Sequence, residues 1–107
     1  MNLDLDRVPV TLDEALELLD AALSAHEKEA WRSMTAARMF NLQGTIAQSL
    51  RSDWSLLDPH TPLRIYFRDL GLDDAEEVSL LLIDAYWRRY NNEAIPIEDL
   101  VREYLEG

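Results

Sequence analysis

The chain has 107 residues, of which 48% are hydrophobic, and it contains no cysteine. This size and composition predict one globular domain with its own core, and the lack of cysteine excludes a disulfide framework and a thiolate metal site. The longest aliphatic run, Leu80–Ile83, is far shorter than the roughly 18 residues that indicate a membrane span. Residues 1–6 lack the basic start and apolar stretch of a signal peptide. We therefore expect a cytoplasmic protein.

The formal net charge is −11 at pH 7, and it is unevenly distributed along the chain. Residues 1–31 carry a net charge of −6 and residues 73–107 carry −7, whereas residues 32–72 carry +2. A field of this sign repels nucleic acid and anionic membranes and attracts basic partners. Acidic surfaces also serve solubility alone, so the charge by itself does not identify a partner.

The first helix is predicted from a capping box. Thr11 stands three residues before Glu14, so that Thr11 can accept a hydrogen bond from the Glu14 amide while Glu14 reaches back to the cap. Apolar residues at helical spacing follow as far as Leu23. Residues 24–34 are charged but keep helical spacing, and they fit either a bent extension of this helix or a separate short helix.

A further helical run is predicted from Thr35. Its apolar residues on one face are Met39, Leu42, Ile46 and Leu50. Gly44 lies inside the run, where glycine costs about 1 kcal/mol relative to alanine, and we interpret it as a point of close helix packing.

Two prolines and a glycine delimit the next helix. Residues 58–62 form a loop, in which Thr61 is a candidate cap and Pro62 suits the first helical position. The helix then ends at Gly71, a residue type typical of the position after a helix.

The strongest helix is predicted over residues 74–91. It begins at an acidic capping pattern, is apolar around most of its circumference and ends at Asn91 and Asn92, so it belongs in the middle of its domain. Pro96 precedes a last helix. The apolar residues of that last helix at inward spacing are Ile97, Leu100, Val101, Tyr104 and Leu105.

These elements predict an all-α fold, an irregular orthogonal bundle of five to six helices around the central helix of residues 74–91. Residues 1–10 are expected to form an N-terminal arm, and residues 11–107 a single helical domain.

No catalytic, cofactor-binding or metal-ligating residues are predicted. His26, near the end of the first helical run, and His60, between two prolines, both stand outside any catalytic motif. The densest acidic cluster, within residues 73–77, lacks the alternate ligand spacing and glycine of a calcium loop. The sequence thus favours a protein that is not an enzyme and that has no cofactor.

One stretch interleaves basic and aromatic residues, as surfaces that bind single-stranded nucleic acid do. Its members are Arg51, Trp54, Arg64, Tyr66 and Arg68. In a helix, however, Tyr66 and Phe67 are more easily interpreted as core residues, and the arginines as partners of the excess acids. We therefore expect no direct binding of nucleic acid and no binding to membranes.

The remaining function class is recognition of another protein. We expect a small acidic inhibitor, of the immunity-protein or phage anti-defence type, that occludes a basic partner surface. Candidate partner-binding residues are Asp73, Asp74, Glu76, Glu77, Trp31 and Trp54. Two alternatives stay open: a homo-oligomeric structural or regulatory protein, such as a homodimer, and an enzyme that uses carboxylates alone.

The chain also resembles a bacterial domain family of unknown function. The resemblance is carried by Leu42-Gln43-Gly44, by Arg51-Ser52-Asp53-Trp54-Ser55-Leu56, and by Gly71-Leu72-Asp73-Asp74 leading to Ser79-Leu80-Leu81-Leu82-Ile83. It covers residues 9–104, and it departs from the family pattern in the spacing between Gly44 and Arg51 and in having Ser52 where asparagine is expected. The resemblance implies one helical domain and no particular activity.

Overall fold

The computed structural model describes residues 8–32 and 46–106, and all regular secondary structure in these two ranges is helical. The helices are α1 (Leu12–Ala22), α2 (Ala25–Arg32), α3 (described over residues 46–53), α4 (Pro62–Asp69), α5 (Ala75–Tyr90) and α6 (Ile97–Glu106). The predicted all-α fold with about six helices is therefore confirmed. Most of the helical run predicted from Thr35, including Gly44, lies outside the described residues.

Helix α5 is the centre of the fold, as predicted. It contacts α1, α2, α4 and α6, and the Arg51 guanidinium of α3 donates a hydrogen bond to the Ser79 hydroxyl of α5 over 3.0 Å. The buried apolar residues of α5 are Val78, Leu81, Leu82, Ile83, Ala85 and Tyr86. A helix that buries side chains on most of its circumference needs neighbours on most sides, and the surrounding helices supply them.

Helix α1 has the predicted cap with one difference. The Thr11 hydroxyl accepts from the Glu14 amide at 3.3 Å, but the Glu14 carboxylate accepts from the Val10 amide at 3.0 Å, one residue further back than predicted. The helix ends at Ala22, because Leu23 has an extended backbone.

A second capping box shows that the chain after Leu23 begins a separate helix and does not continue α1; residues 33 and 34 of the predicted stretch 24–34 lie outside the described residues. The Ser24 amide donates to the Glu27 carboxylate at 3.0 Å, and the Glu27 amide donates back to the Ser24 hydroxyl at 3.1 Å. These reciprocal bonds satisfy the first free amides of a new helix, which begins at Ala25. His26 therefore lies in the first turn of α2, and its predicted place near the end of the first helical run is wrong.

Helix α4 ends at Gly71 in a Schellman motif. The Gly71 amide donates to the Arg68 carbonyl and the Leu72 amide to the Phe67 carbonyl, both at 2.9 Å. Gly71 has a φ of 103°, which a residue without a Cβ adopts at little cost. At the other end of α4, Pro62 occupies the first helical position as predicted, but the Thr61 side chain makes no cap.

Replacing Gly71 tests this turn. Gly71→Ala is expected to lower the free energy of unfolding by about 1–2 kcal/mol, because a side chain is strained at positive φ. An added Cβ would meet the Leu105 side chain at an ordinary 3.7 Å, so the loss would be conformational rather than steric. Urea denaturation measures it, and Gly71→Asn should lose less, since asparagine tolerates positive φ better. Equal stability of wild type and Gly71→Ala would contradict the assignment.

Both ends of α5 lie within one residue of the prediction. The Asp74 carboxylate accepts from the Glu77 amide at 2.9 Å and caps the start. The end is a second Schellman motif, in which Asn92 has a φ of 58° and the Glu93 amide donates to the Arg88 carbonyl at 2.7 Å. Asparagine is the usual alternative to glycine at such a position.

Helix α6 packs on α5 through a narrow face. Leu100 and Val101 are buried, and Ile97 and Tyr104 are half-buried. Leu105 is 56% exposed, so its predicted inward position is wrong. Leu105 lies just outside the face of α6 that packs on α5, and its side chain lies near the Gly71 turn.

Tyr86 links α5 to α1. Its hydroxyl donates to the Asp20 carboxylate at 2.8 Å, and the Lys28 ammonium lies 3.2 Å from the same oxygen. The ring meets Trp31 edge-on, with 5.7 Å between the ring centres. Burial and then the hydrogen bond to Asp20 raise the pKa of the Tyr86 phenol well above its usual value of 10, because both disfavour the phenolate.

Tyr86→Phe is expected to lower the free energy of unfolding by about 1 kcal/mol through the lost hydrogen bond. Because folding raises the pKa of Tyr86, its contribution is complete below pH 10 and is lost as the pH rises further. Thermal unfolding measured between neutral and alkaline pH should show the gap between the proteins narrowing above about pH 10. Tyr66→Phe, which alters a half-buried tyrosine elsewhere, is the matched control.

Candidate functional site

A groove with an excess of acidic residues lies between α5 and α6. Its cavity volume is about 540 Å³, within the usual size range of ligand-binding pockets. The residues that line it, called the acidic groove below, are Asp74, Glu76, Glu77, Leu80, Asp84, Glu103 and Tyr104.

Helical spacing places these side chains together. Glu76, Leu80 and Asp84 follow one another at intervals of four residues, so they lie along one face of α5. Glu103 and Tyr104 approach from α6. Leu80 and Tyr104 are half-buried, which gives the groove an apolar part between its carboxylates.

The acids of the groove are only partly compensated. Asp84 forms an ion pair with Arg88, at 3.1 Å, and Asp74 caps α5. Among the described residues, no basic side chain forms an ion pair with Glu76, Glu77 or Glu103. Several like charges beside a half-buried apolar surface produce a negative potential that attracts cationic groups.

Three of the four predicted acids, Asp74, Glu76 and Glu77, line the groove. Asp73 does not line it. Its carboxylate lies 2.9 Å from the Arg64 guanidinium and 3.3 Å from that of Arg68. Asp73 is exposed, and its carboxylate is engaged by the two arginines of α4.

The two arginines held by Asp73 fix the loop before α4. Arg64 is buried and donates to the Leu56 carbonyl at 2.6 Å, while Arg68 donates to the Pro59 carbonyl at 2.7 Å. The hydrogen bond from Arg64, and then the one from Arg68, lower the pKa of the Asp73 carboxyl below its usual 3.8. Charged donors of this kind favour the ionised carboxylate.

Asp73→Asn is expected to destabilise the protein at neutral pH, because the two guanidinium groups lose their shared counter-ion. The lowered pKa means that the Asp73 contribution is complete above pH 3.8 and is lost as the pH falls through the folded-state value. Urea denaturation across this acidic range should show wild type and variant converging. Asp53→Asn, at an exposed position on α3, is the matched control; a gap that persists at the lowest pH would contradict the assignment.

The two predicted tryptophans are part of the core. Trp54 is 0% exposed and Trp31 is 5% exposed. The Trp31 carbonyl also accepts a hydrogen bond from the Trp87 indole at 3.2 Å, which joins α2 to α5. In this conformation neither indole presents a surface to a partner. Aromatic residues serve cores and interfaces equally well, so their type alone does not distinguish the two.

The interleaved basic and aromatic stretch is also engaged within the fold. Arg51 bonds to Ser79, and Arg64 and Arg68 bond to Asp73 and the loop carbonyls. Tyr66 is half-buried and packs edge-on against the buried Phe67, with 5.2 Å between the ring centres. Tyr66 and Phe67 therefore agree with the interpretation as core residues, and Arg64 and Arg68 with that as partners of an acid, whereas the described partner of Arg51 is a hydroxyl group.

Sequence reasoning missed four residues of the groove: Leu80, Asp84, Glu103 and Tyr104. The spacing of Glu76, Leu80 and Asp84 could have indicated one shared face of α5. The contribution of α6 has no comparable signal, because the sequence does not show which turn of α6 lies opposite which turn of α5.

The described residues also bear on two other kinds of chemistry, metal binding and acid catalysis. Within residues 8–32 and 46–106, no group of three or more His, Asp or Glu side chains is arranged to hold a metal ion. The pKa of Asp20 is lowered mainly by Tyr86, that of Glu27 by the Ser24 backbone and that of Asp73 by Arg64. A carboxylic acid that acts as a proton donor near neutral pH needs the opposite shift.

The motifs that carry the family resemblance have structural roles. Arg51 and Ser79 bond to each other, and the Ser79 hydroxyl donates to the Glu76 carbonyl at 2.7 Å. Trp54 and Leu56 are fully buried, and Gly71 ends α4. Leu42-Gln43-Gly44 lies outside the described residues.

The family model of DUF6794, a domain of unknown function, matches residues 8–90, and the chain belongs to this family. The match ends with α5, short of the predicted limit at residue 104. No curated protein and no solved structure matches the chain. In the described part of the chain, none of the helices has the length and apolar character needed to span a bilayer.

Proposed function

We propose that this member of DUF6794 is a non-catalytic protein-binding module that holds a basic segment of a partner protein in the acidic groove. The observation that carries the proposal is a set of three carboxylates, Glu76, Glu77 and Glu103, that have no ion-pair partner in the described part of the chain. They line the groove together with Leu80 and Tyr104. Lysine and arginine side chains combine an apolar stem with a charged head. They complement a groove that is both apolar and negatively charged.

The distribution of charge over the chain supports the same proposal. Residues 73–107, which include α5 and α6, carry a net charge of −7, and the groove lies between these two helices. Charge of one sign concentrated at a docking site speeds association and selects for partners of opposite sign. An inhibitor of the immunity or anti-defence type would act in this way, by covering a basic surface that its partner needs.

The lack of cysteine fits a reducing compartment, so we place the function in the cytoplasm. The second candidate function is a homo-oligomeric structural or regulatory protein, which would need an exposed apolar surface at which two copies of the chain pack together. The large exposed apolar residues are Val8, Val10, Leu57, Ile65 and Leu105. They come from four separate parts of the described chain, and scattered apolar side chains are normal on a monomer.

The direct test uses a short peptide of four lysines with blocked ends, titrated into the protein at low salt and followed by calorimetry. The variant Glu76→Gln, Glu77→Gln, Glu103→Gln should weaken binding by about tenfold or more, since each close charge pair that is lost contributes up to about 1 kcal/mol. The control Asp13→Asn, Glu17→Gln, Asp53→Asn removes the same charge from exposed sites outside the groove.

Affinity capture from a lysate of the native host, with the same three proteins as bait, tests whether the groove that binds the peptide also binds a natural partner protein. Wild type and control should retain a protein with a basic surface, and the groove variant should lose it. If the groove variant and the control bind the peptide and the partner equally, the groove is not the binding site and the proposal fails.

A further inference from the structure

Helix α6 is distinguished from the other helices by its place in the chain. The match to the family ends at residue 90, the last residue of α5, so α6 and the segment before it lie outside the matched domain. Nevertheless α6 supplies Glu103 and Tyr104, which form one wall of the acidic groove. The groove is thus complete only while α6 is docked.

The hydrophobic attraction that holds α6 comes from one narrow apolar face. Leu100 and Val101 are buried, and Ile97 and Tyr104 are half-buried and pack against the core. The hydrophobic contribution of a helix to its docking grows with the apolar area that it removes from water, so this face provides the attraction that the charges of the groove oppose. The preceding segment, residues 91–96, is not helical; four of its six residues are exposed, and Ile95 packs against the core.

The charges across the groove oppose docking. Glu103 of α6 lines the same groove as Asp74, Glu76, Glu77 and Asp84, and of these acids Asp84 is paired with Arg88. The one arginine of α6, Arg102, lies on another face and pairs with Asp99 of the same helix at 3.6 Å. Docking of α6 on α5 therefore adds the Glu103 charge to a groove in which Glu76 and Glu77 have no ion-pair partner among the described residues.

The opposite face of α5 provides a contrast. There Lys28 of α2 lies 3.2 Å from Asp20 of α1, beside the Tyr86 hydroxyl of α5. Opposite charges meet at that junction, so added salt should weaken it slightly. At the α6 junction, added salt should do the reverse.

We infer that α6 is a C-terminal strap whose docking on α5 is opposed by the carboxylates of the acidic groove, so that a cationic occupant of the groove closes it. The inference deepens the proposed function and rests on it for the identity of the natural occupant. A cation between the two walls interacts with both of them only in the docked state. By linkage, whatever binds the docked state more tightly shifts the equilibrium towards it.

The test that needs no partner measures amide hydrogen exchange of residues 97–106 by mass spectrometry. Raising NaCl from about 0.01 M to about 1 M shortens the Debye length from about 30 Å to about 3 Å. Exchange of α6 should slow by about two- to fivefold, the range expected for a few exposed charge pairs. Exchange of α1, residues 12–22, is the internal reference and should stay constant or become slightly faster.

Two variants separate groove charge from general salt effects. Glu77→Gln on α5 should slow the exchange of α6 at low salt and reduce the response to salt. Glu98→Gln makes the same chemical change in the first turn of α6, away from the groove. It should speed exchange instead, because an acid there stabilises the helix N-terminus.

The outcomes distinguish this inference from the proposed function. If α6 exchange responds neither to salt nor to Glu77→Gln, the strap is wrong, whether or not the tetralysine peptide binds. If α6 responds to both, but the peptide neither binds nor slows α6 exchange, the strap stands and the proposed basic partner is wrong. Slowing of α6 by salt, by Glu77→Gln and by the peptide supports both.

Discussion

The described structure depends on the burial of α5. All the other helices pack against this one, so α5 can carry exposed polar groups only where its neighbours leave a gap. The gap towards α6 is where Glu76, Glu77 and Asp84 reach solvent. The packing that buries α5 at the centre of the fold therefore also limits where its charged side chains can be exposed.

A second constraint acts at the start of α5. Asp73 and Asp74 are neighbours in sequence, but Asp73 faces the arginines of α4 while Asp74 caps α5 and borders the groove. The Asp73 carboxylate, although exposed, pairs with the arginines of α4, and the Asp74 carboxylate contributes to the acidic surface of the groove. An acidic cluster in a sequence can thus divide between two unrelated tasks when it spans a helix boundary.

Much of the fold could be predicted from the sequence, because its signals are local. The caps at Thr11 and Asp74, the stop at Gly71 and the proline at the start of α4 each depend on residues a few positions apart. The candidate site could be predicted only on its α5 side, since Glu103 approaches from a helix that no local pattern aligns with α5. Trp31 and Trp54, which were predicted to bind a partner, are buried. Their residue type does not reveal whether an indole faces the core or the solvent.

The short connection between α4 and α5 has a consequence for how the chain can vary in length. Gly71 ends one helix and Asp74 caps the next, so only two residues separate the two boundaries. Each residue of an α-helix turns it by about 100°. A deletion or insertion there would have to rotate α5 about its axis or unwind its first turn, and either would shift Glu76 and Glu77 relative to Glu103. The longer, largely exposed connection between α5 and α6 could absorb such a change locally. Length differences among relatives are therefore expected in the connection between α5 and α6 and not in the connection between α4 and α5.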